Sequence, residues 1–291
     1  MSTSIAQVRA RVLAECEDKD ALAAFLTDRT IGRYLAANED SVETASHQLV
    51  GSWQWQQRVR PHALVCAACE RDARSHSLRP VGFDAQGRLV LYTCFATAHD
   101  RFDPATATAH LTRLLHDAQA LLDSDERLAP KWVLVVDFHG YALRDNNPRT
   151  ATNAIWLLHH FPERLGLALL LDAPLLFGAL WRAIRRLLKP STAQKVSFVS
   201  SMDTTDPNVL ALGTPMIAWL RAEAAENRSP YGAAKRHWEP PAEKRPHDAR
   251  GLQSFVADQR AWCSFHWYGE QFVDASAVSY THLTLPTTPY V

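Results

Sequence analysis

Apolar residues recur at three- and four-residue steps through the first sixty positions, which is the spacing of helices with one buried face. Residues 4–16 and 20–37 read as helices, the second with Ile31, Tyr34 and Leu35 on one side. A third is expected from about Ser41 to Gln57. Ser41 supplies an N-cap, Glu43 and Thr44 fall in the first turn, and Val42, Ala45, Leu49 and Trp53 line a core-facing stripe. Residues 1–60 are therefore expected to form an N-terminal helical segment.

The period changes after Arg79. Pro80–Phe83 and Arg88–Thr93 flank the turn Asp84-Ala85-Gln86-Gly87, a hairpin signal. Residues 104–123 return to helical spacing behind Asp103-Pro104, a cap followed by proline at the first helical position. Trp132–Asp137 is then a continuous β-rich apolar run, the pattern of a strand buried on both faces of a parallel sheet. A helix near 149–160, a strand over 167–171, a helix over 175–188 and a strand over 195–200 complete an alternation of strand and helix. That alternation predicts an α/β fold, an N-terminal helical segment followed by a mostly parallel sheet with helices.

Beyond residue 232 the pattern weakens. Residues 233–250 carry Pro240-Pro241 and Pro246 among mixed charges, a linker composition, and 251–274 are expected to hold one more helix. Residues 277–291 follow neither period, and the expectation is a non-native tail of translated cloning sequence.

Composition narrows the classes. The 291 residues carry 31 Lys+Arg and 31 Asp+Glu, a formal charge of zero, which argues against a nucleic-acid-coating protein. Only 11 glycines disfavour glycine-rich nucleotide loops. Five cysteines form no even disulfide framework and the N-terminus lacks a signal-like apolar run, so a cytoplasmic protein is expected. The most apolar stretch, Leu165–Leu180, contains Asp172 and Pro174 and is short for a bilayer span.

Enzyme motifs are missing: there is no G-x-S-x-G, no G-x-G-x-x-G and no G-x-x-x-x-G-K-[ST]. Asp137 and Asp172 end apolar strands, where α/β ligand sites lie, but a strand-end Asp also caps the next turn. Cys66-Ala67-Ala68-Cys69 invites a zinc reading, yet no second C-x-x-C or H-x3-H stands nearby to complete four ligands, so two buried helix cysteines are expected and no metal site. His159-His160 reads as a helix-end pair, since adjacent residues point about 100° apart. The segment 177–189 is amphipathic. Phe177, Leu180, Trp181, Ile184 and Leu188 share one face; Arg182, Arg185, Arg186 and Lys189 share another. Such a helix is either a core helix with a solvated charged face or one that rests on an anionic membrane.

Three segments carry a resemblance: Phe161-Pro162-Glu163-Arg164-Leu165-Gly166, then Asp172-Ala173-Pro174, then Lys189-Pro190-Ser191-Thr192-Ala193-Gln194-Lys195-Val196. In this order they resemble the central signature of CRAL-TRIO lipid-binding domains, the phosphatidylinositol-transfer-type proteins. Looser similarity, from Arg33-Tyr34-Leu35-Ala36-Ala37 through Trp53 and Trp55 and in the hairpin, extends it to roughly residues 25–232.

The resemblance implies a sheet and helices enclosing an apolar lipid cavity over residues 76–232, closed by a mobile gate helix. Phe177, Trp181, Arg182, Arg185, Arg186 and Lys189 would form that gate and meet the membrane. Headgroup contacts would fall to Glu163, Arg164, Thr192 and Lys195; an internal ion-pair network among Glu163, Arg164 and Lys195 is the competing reading. The implied protein is a non-enzymatic, monomeric lipid carrier with no cofactor, binding one phospholipid such as phosphatidylinositol and associating transiently with membranes. A regulatory lipid-sensing or partner-docking module is the alternative. Three departures stand out. Asn38 and Glu39 occupy the place of a basic pair in phosphoinositide-binding members. Trp132-Val133-Leu134 stands where phosphatidylcholine-binding members place Ser-x-Thr, and a P-x-x-[FY]-G-G motif is reduced to Pro230-Tyr231-Gly232-Ala233.

Overall fold

The N-terminal periodicity folds into α1 (Ser2–Glu15), α2 (Lys19–Phe25), α3 (Asp28–Ala37) and α4 (Val42–Val59) of the computed structural model, which describes residues 2–16, 19–72, 75–200, 203 and 205–229. The expected linker at 233–250, the helix at 251–274, the tail at 277–291 and the Pro230–Ala233 motif lie outside the described residues. The single helix expected over 20–37 is two. Thr27 leaves helical geometry and its hydroxyl caps α3 by accepting from the Thr30 amide at 3.1 Å. Ser41 caps α4 as expected, accepting from the Thr44 amide at 3.4 Å. Val8, Val12, Leu22, Ile31, Leu35, Ala45 and Leu49 give these helices a core of their own.

A five-residue helix, α5 (Ala67–Arg71), leads into β1 (Arg79–Phe83) and β2 (Leu89–Cys94), joined by the expected turn. Asp84 holds that turn by accepting from the Gln86 and Arg88 amides, each at 2.9 Å, and Gly87 takes a φ of 71° that suits glycine. Then follow α6 (Pro104–Ser124), β3 (Trp132–Asp137), α7 (Pro148–Leu158), β4 (Leu165–Leu171), α8 (Gly178–Leu187), α9 (Pro190–Ala193), β5 (Val196–Val199), α10 (Pro207–Leu210) and α11 (Thr214–Asn227). Asp103 caps α6 through the Ala105 and Thr106 amides with Pro104 behind it, as its sequence predicts.

The strands form one sheet in the order β1-β2-β3-β4-β5, antiparallel at the first pair and parallel thereafter. The order never reverses, so crossovers of one hand place the connecting helices on a common face. Register separates the two faces cleanly. Tyr92, Val135 and Leu169 share a row, and this face packs on Val209, Leu212, Met216, Trp219 and Leu220 of the C-terminal elements, with Tyr92 edge-on to Trp219 at 5.5 Å. The rows Leu91–Leu134–Ala168–Val196 and Thr93–Val136–Leu170–Phe198 line the other face. The strands are not equally buried on both sides. Leu134, Val136 and Val196 are half-buried and Phe198 is 47% exposed, all on that second face.

The two strand-end carboxylates are structural. Buried Asp137 accepts from Tyr92 Oη at 2.9 Å and from Arg228 at 2.9 and 3.0 Å, and Arg228 reaches Asp172 at 2.7 Å. A second ion cluster sits at the opposite end of the strands. Asp123 at the end of α6 accepts from Arg164 at 2.5 Å and Arg33 at 3.3 Å, with Arg29 at 3.8 Å. The Arg164 side chain is fully buried, and burial pushes its pKa down to about 10. Removing the one carboxylate leaves buried guanidinium charge uncompensated. Asp123→Asn is expected to cost about 3 kcal/mol or more, read as a lower denaturant midpoint at unchanged m.

Candidate functional site

The chain that carries the site is built on a tight turn between α7 and β4. His159 ends α7, and His160 turns inward, stacking on Trp55 at 4.3 Å between ring centroids with its Nδ1 3.1 Å from Ser52 Oγ. Tyr34 Oη donates to the His160 carbonyl at 3.2 Å and Gln48 Nε2 to the His159 carbonyl at 2.8 Å. These bonds dock the N-terminal helices on the turn. Pro162 follows, and Glu163 adopts a φ of 57°, a left-handed conformation uncommon outside glycine. Arg164 then starts the approach to β4.

An open cleft of about 1000 Å³ lies beside this turn, between the α3–α4 junction, α7 and the segment 187–195. Its lining is amphipathic: Ile155, Leu158, Leu165, Leu187 and Leu188 share it with Asn38, Gln48, Glu163, Lys189, Thr192 and Lys195. Pockets of this size accommodate a ligand of drug size or larger. Lys195 Nζ stands 3.5 Å from Glu163 Oε2, both partly exposed. A half-exposed pair of this kind contributes little, so Lys195 can exchange Glu163 for a stronger anion. Lys189 Nζ donates to the Ala37 carbonyl at 2.6 Å, fastening the segment after α8 to the end of α3.

Glu163, Thr192 and Lys195 are thus brought into one cleft, and Arg164 is not among them. Its guanidinium turns the other way, to Asp123 and to the Pro130 carbonyl at 3.1 Å. Phe177 is buried and packs at 4.8 Å on Phe138, while Trp181 lies edge-on to exposed Phe198 at 5.4 Å. Arg182, Arg185 and Arg186 point to solvent, and among the described residues none of them is ion-paired. Leu175 and Leu187 flank them, 99% and 59% exposed.

One polar residue of the cleft, Gln48, escaped the sequence reading, and Asn38 was read only as a departure from a basic pair. Asn38 Nδ2 donates to Gln48 Oε1 at 2.6 Å and to the Tyr34 carbonyl at 2.8 Å, closing the gap between α3 and α4. The one available signal was Gln48, a polar side chain beside the apolar stripe of α4. The histidine pair does diverge, with His160 buried and His159 exposed at the cleft.

The model of the CRAL/TRIO domain matches residues 77–209, from just before β1 into α10. The chain carries a CRAL/TRIO domain. A CRAL-TRIO domain-containing protein of Schizosaccharomyces pombe is 23% identical over 185 residues, which is 63% of this chain and 18% of that protein. The chain thus spans under a fifth of that relative's length. The crystal structure of Sfh5 superposes with a TM-score of 0.54 at 15% identity, covering 68% of this chain and 81% of that one, a likeness of fold. CRAL/TRIO domains of this fold serve lipid binding and transfer in general. All four expected headgroup residues and the α8 cations fall inside the matched region of the CRAL/TRIO domain, whereas α1–α4 and their contributions to the cleft precede it. Among the described residues, no helix is long and apolar enough to cross a membrane.

Burial pushes His160 down to about 4 from 6.5, with His159 and Arg58 adding to the effect. The unfolded chain therefore binds the extra proton between those values, and stability falls as pH drops through the window from 6.5 to 4. His160→Gln is expected to flatten that fall, by at most about 1.4 kcal/mol per pH unit, measured by urea denaturation at pH 7 and pH 5.

Proposed function

We propose that this CRAL/TRIO protein is a non-catalytic lipid carrier that holds one phospholipid, with phosphatidylinositol the candidate, and exchanges it at membranes by movement of α8. The observation that carries the reading is the half-covered apolar face: Val136, Val196 and Phe198 lie under or beside α8, Leu134 lies on the same face of the sheet, and all four are incompletely screened from water. Acyl chain covering those side chains would gain about 0.8 kcal/mol per buried CH₂. In the adjoining amphipathic cleft, Lys195 and Thr192 would meet the phosphodiester, and Glu163, released from Lys195, would accept from inositol hydroxyls. Arg164 would act at a distance, holding the turn that presents Glu163. Glu39 and the hydrogen-bonded Asn38 leave the mouth without the basic pair that a further phosphate would need, so the unphosphorylated inositol lipid is favoured. The working place would be the cytoplasmic side of membranes, as a monomer in transient contact.

Support for the gate comes from α8 itself. Its apolar face, with Phe177 just before it, closes on Phe138, Leu170 and Val196, while the exposed Arg182, Arg185 and Arg186, without an ion pair among the described residues, face outward. On an anionic bilayer each cation contributes about 1 kcal/mol, enough to hold the helix at the surface while its inner face opens.

Native mass spectrometry of the protein incubated with a mixed lipid extract tests the reading, together with transfer between liposomes. Wild type is expected to retain one phosphatidylinositol. Ile155→Asp should lower loading of any lipid roughly tenfold, whereas Lys195→Ala should chiefly erase preference for phosphatidylinositol over phosphatidylcholine, a difference of about 1–2 kcal/mol. Retention of no lipid by wild type, with no transfer, would end the proposal; retention without transfer would leave a lipid-sensing module. Reversal of Arg182, Arg185 and Arg186 to Glu should weaken co-sedimentation with phosphatidylserine liposomes by on the order of a hundredfold, and unchanged sedimentation would remove α8 from the membrane contact.

A further inference from the structure

Between α4 and β1 the chain is held by scattered polar contacts: Arg113 donates to the His62 and Leu64 carbonyls at 2.9 and 3.4 Å, and Ser75 Oγ to the Ala68 carbonyl at 2.9 Å. Among its described residues, a 3-10 turn at Pro61–Ala63 and the five residues of α5 are the regular structure, and Cys66, Ala68 and Cys69 form a small apolar cluster. Such a cluster is too small to order a segment by burial. Yet Cys66 and Cys69 are both buried, and so are His76 from the loop before β1 and His110 from α6. Burying two thiols and two imidazoles together without strong partners is unfavourable.

Their donor atoms converge. Cys69 Sγ lies 3.3 Å from His76 Nδ1 and 3.6 Å from His110 Nδ1, and Cys66 Sγ lies 3.6 Å from His76 Nδ1. All four donors fall within 4.8 Å of one another. A tetrahedral zinc ion with its usual bond lengths sets sulfur and nitrogen ligands about 3.6 Å apart, so the observed separations are close to the edges of that tetrahedron. The surroundings fit too. His110 Nε2 is 2.9 Å from the Leu78 carbonyl; donating there fixes the tautomer that leaves the Nδ1 lone pair aimed at the cluster.

We propose that Cys66, Cys69, His76 and His110 bind one structural zinc ion. Zn²⁺ displaces the two thiol protons to solvent and meets two thiolates and two neutral imidazoles, so the buried centre carries no net charge. Four protein ligands close the coordination shell and leave no position for substrate, as in structural sites. The ion would clip the α4–β1 segment to α6, and thereby help to fix the N-terminal helices against the sheet. Cys66, Cys69 and His76 precede the CRAL/TRIO match, and none of the four lines the cleft, so the site stands apart from lipid binding. It also reverses the expectation of no metal. The spacing C-x2-C-x6-H-x33-H matches no regular zinc finger, and the last ligand comes from another element.

The test uses the full chain purified without chelator from zinc-supplemented medium. Elemental analysis should find about one zinc per chain. Protein produced with cobalt in place of zinc should show thiolate-to-cobalt charge-transfer absorption and the intense visible bands of a tetrahedral centre. Cys69→Ser and His110→Ala should each lose at least tenfold in bound zinc and lose the cobalt charge-transfer band or reduce it. A chelator should lower the Tm of wild type. The proposal fails if wild-type protein holds no zinc and gives no cobalt spectrum, a result that needs no variant to fold. It fails equally if the Cys66→Ser, Cys69→Ser double variant keeps a full complement of zinc.

Discussion

Arg164 is the constraint on which the arrangement turns. A guanidinium with no solvent exposure must keep its counterion, and Asp123 is that counterion. The pairing fastens the last turn of α6 to the entry of β4, and because Asp123 also receives Arg33, it draws the N-terminal helices to the same point. The turn between His159 and Arg164 is then held on both sides. Tyr34, Gln48 and Ser52 bind its first residues, Asp123 and the Pro130 carbonyl bind its last, and Glu163 is left facing the cleft in a left-handed conformation. A strained residue persists where its neighbours over-determine it.

The sheet shows the complementary condition. One face is sealed by α10 and α11, with buried Asp137 satisfied by Tyr92 and Arg228. The other is covered by α6 and α7 over part of its width and by the amphipathic α8 over the rest. A fold that buries one face completely and leaves apolar rows on the other half-covered has placed its unfinished packing where a hydrophobic ligand can complete it. The helix over that face contributes only aromatic and aliphatic contacts on its inner side, so it can leave without breaking an ion pair among the described residues.

Polar anchoring and loose apolar cover divide the molecule accordingly. The strand ends and the α6–β4 junction are tied by charged groups whose separation is costly. The α8 segment is tied by the bond from Lys189 to the Ala37 carbonyl and by surface packing. Opening is therefore expected at α8 before it reaches the sheet, since local opening follows the regions with the least buried contact.

Much of this was legible in the order of residues. Trp132–Asp137 coincides with its predicted strand, Asp103-Pro104 and Ser41 cap the helices assigned to them, and the P-E-R-L-G and Lys189–Val196 segments announced the family. These are local features, decided by side-chain period, capping geometry and backbone restriction, which act over a few residues. What sequence could not decide were meetings between distant residues. It placed Arg164 among the headgroup contacts, because it could not see Asp123 forty-one positions away. It saw Cys66 and Cys69 but not that a loop and a helix would bring His76 and His110 beside them. It read β3 as buried on both faces, because an apolar run records hydrophobicity and not which rows a helix will cover. The chain's local chemistry determined its elements and its family; only the tertiary structure decided which charges are satisfied and which apolar surface is left over, because both depend on separations that folding alone creates.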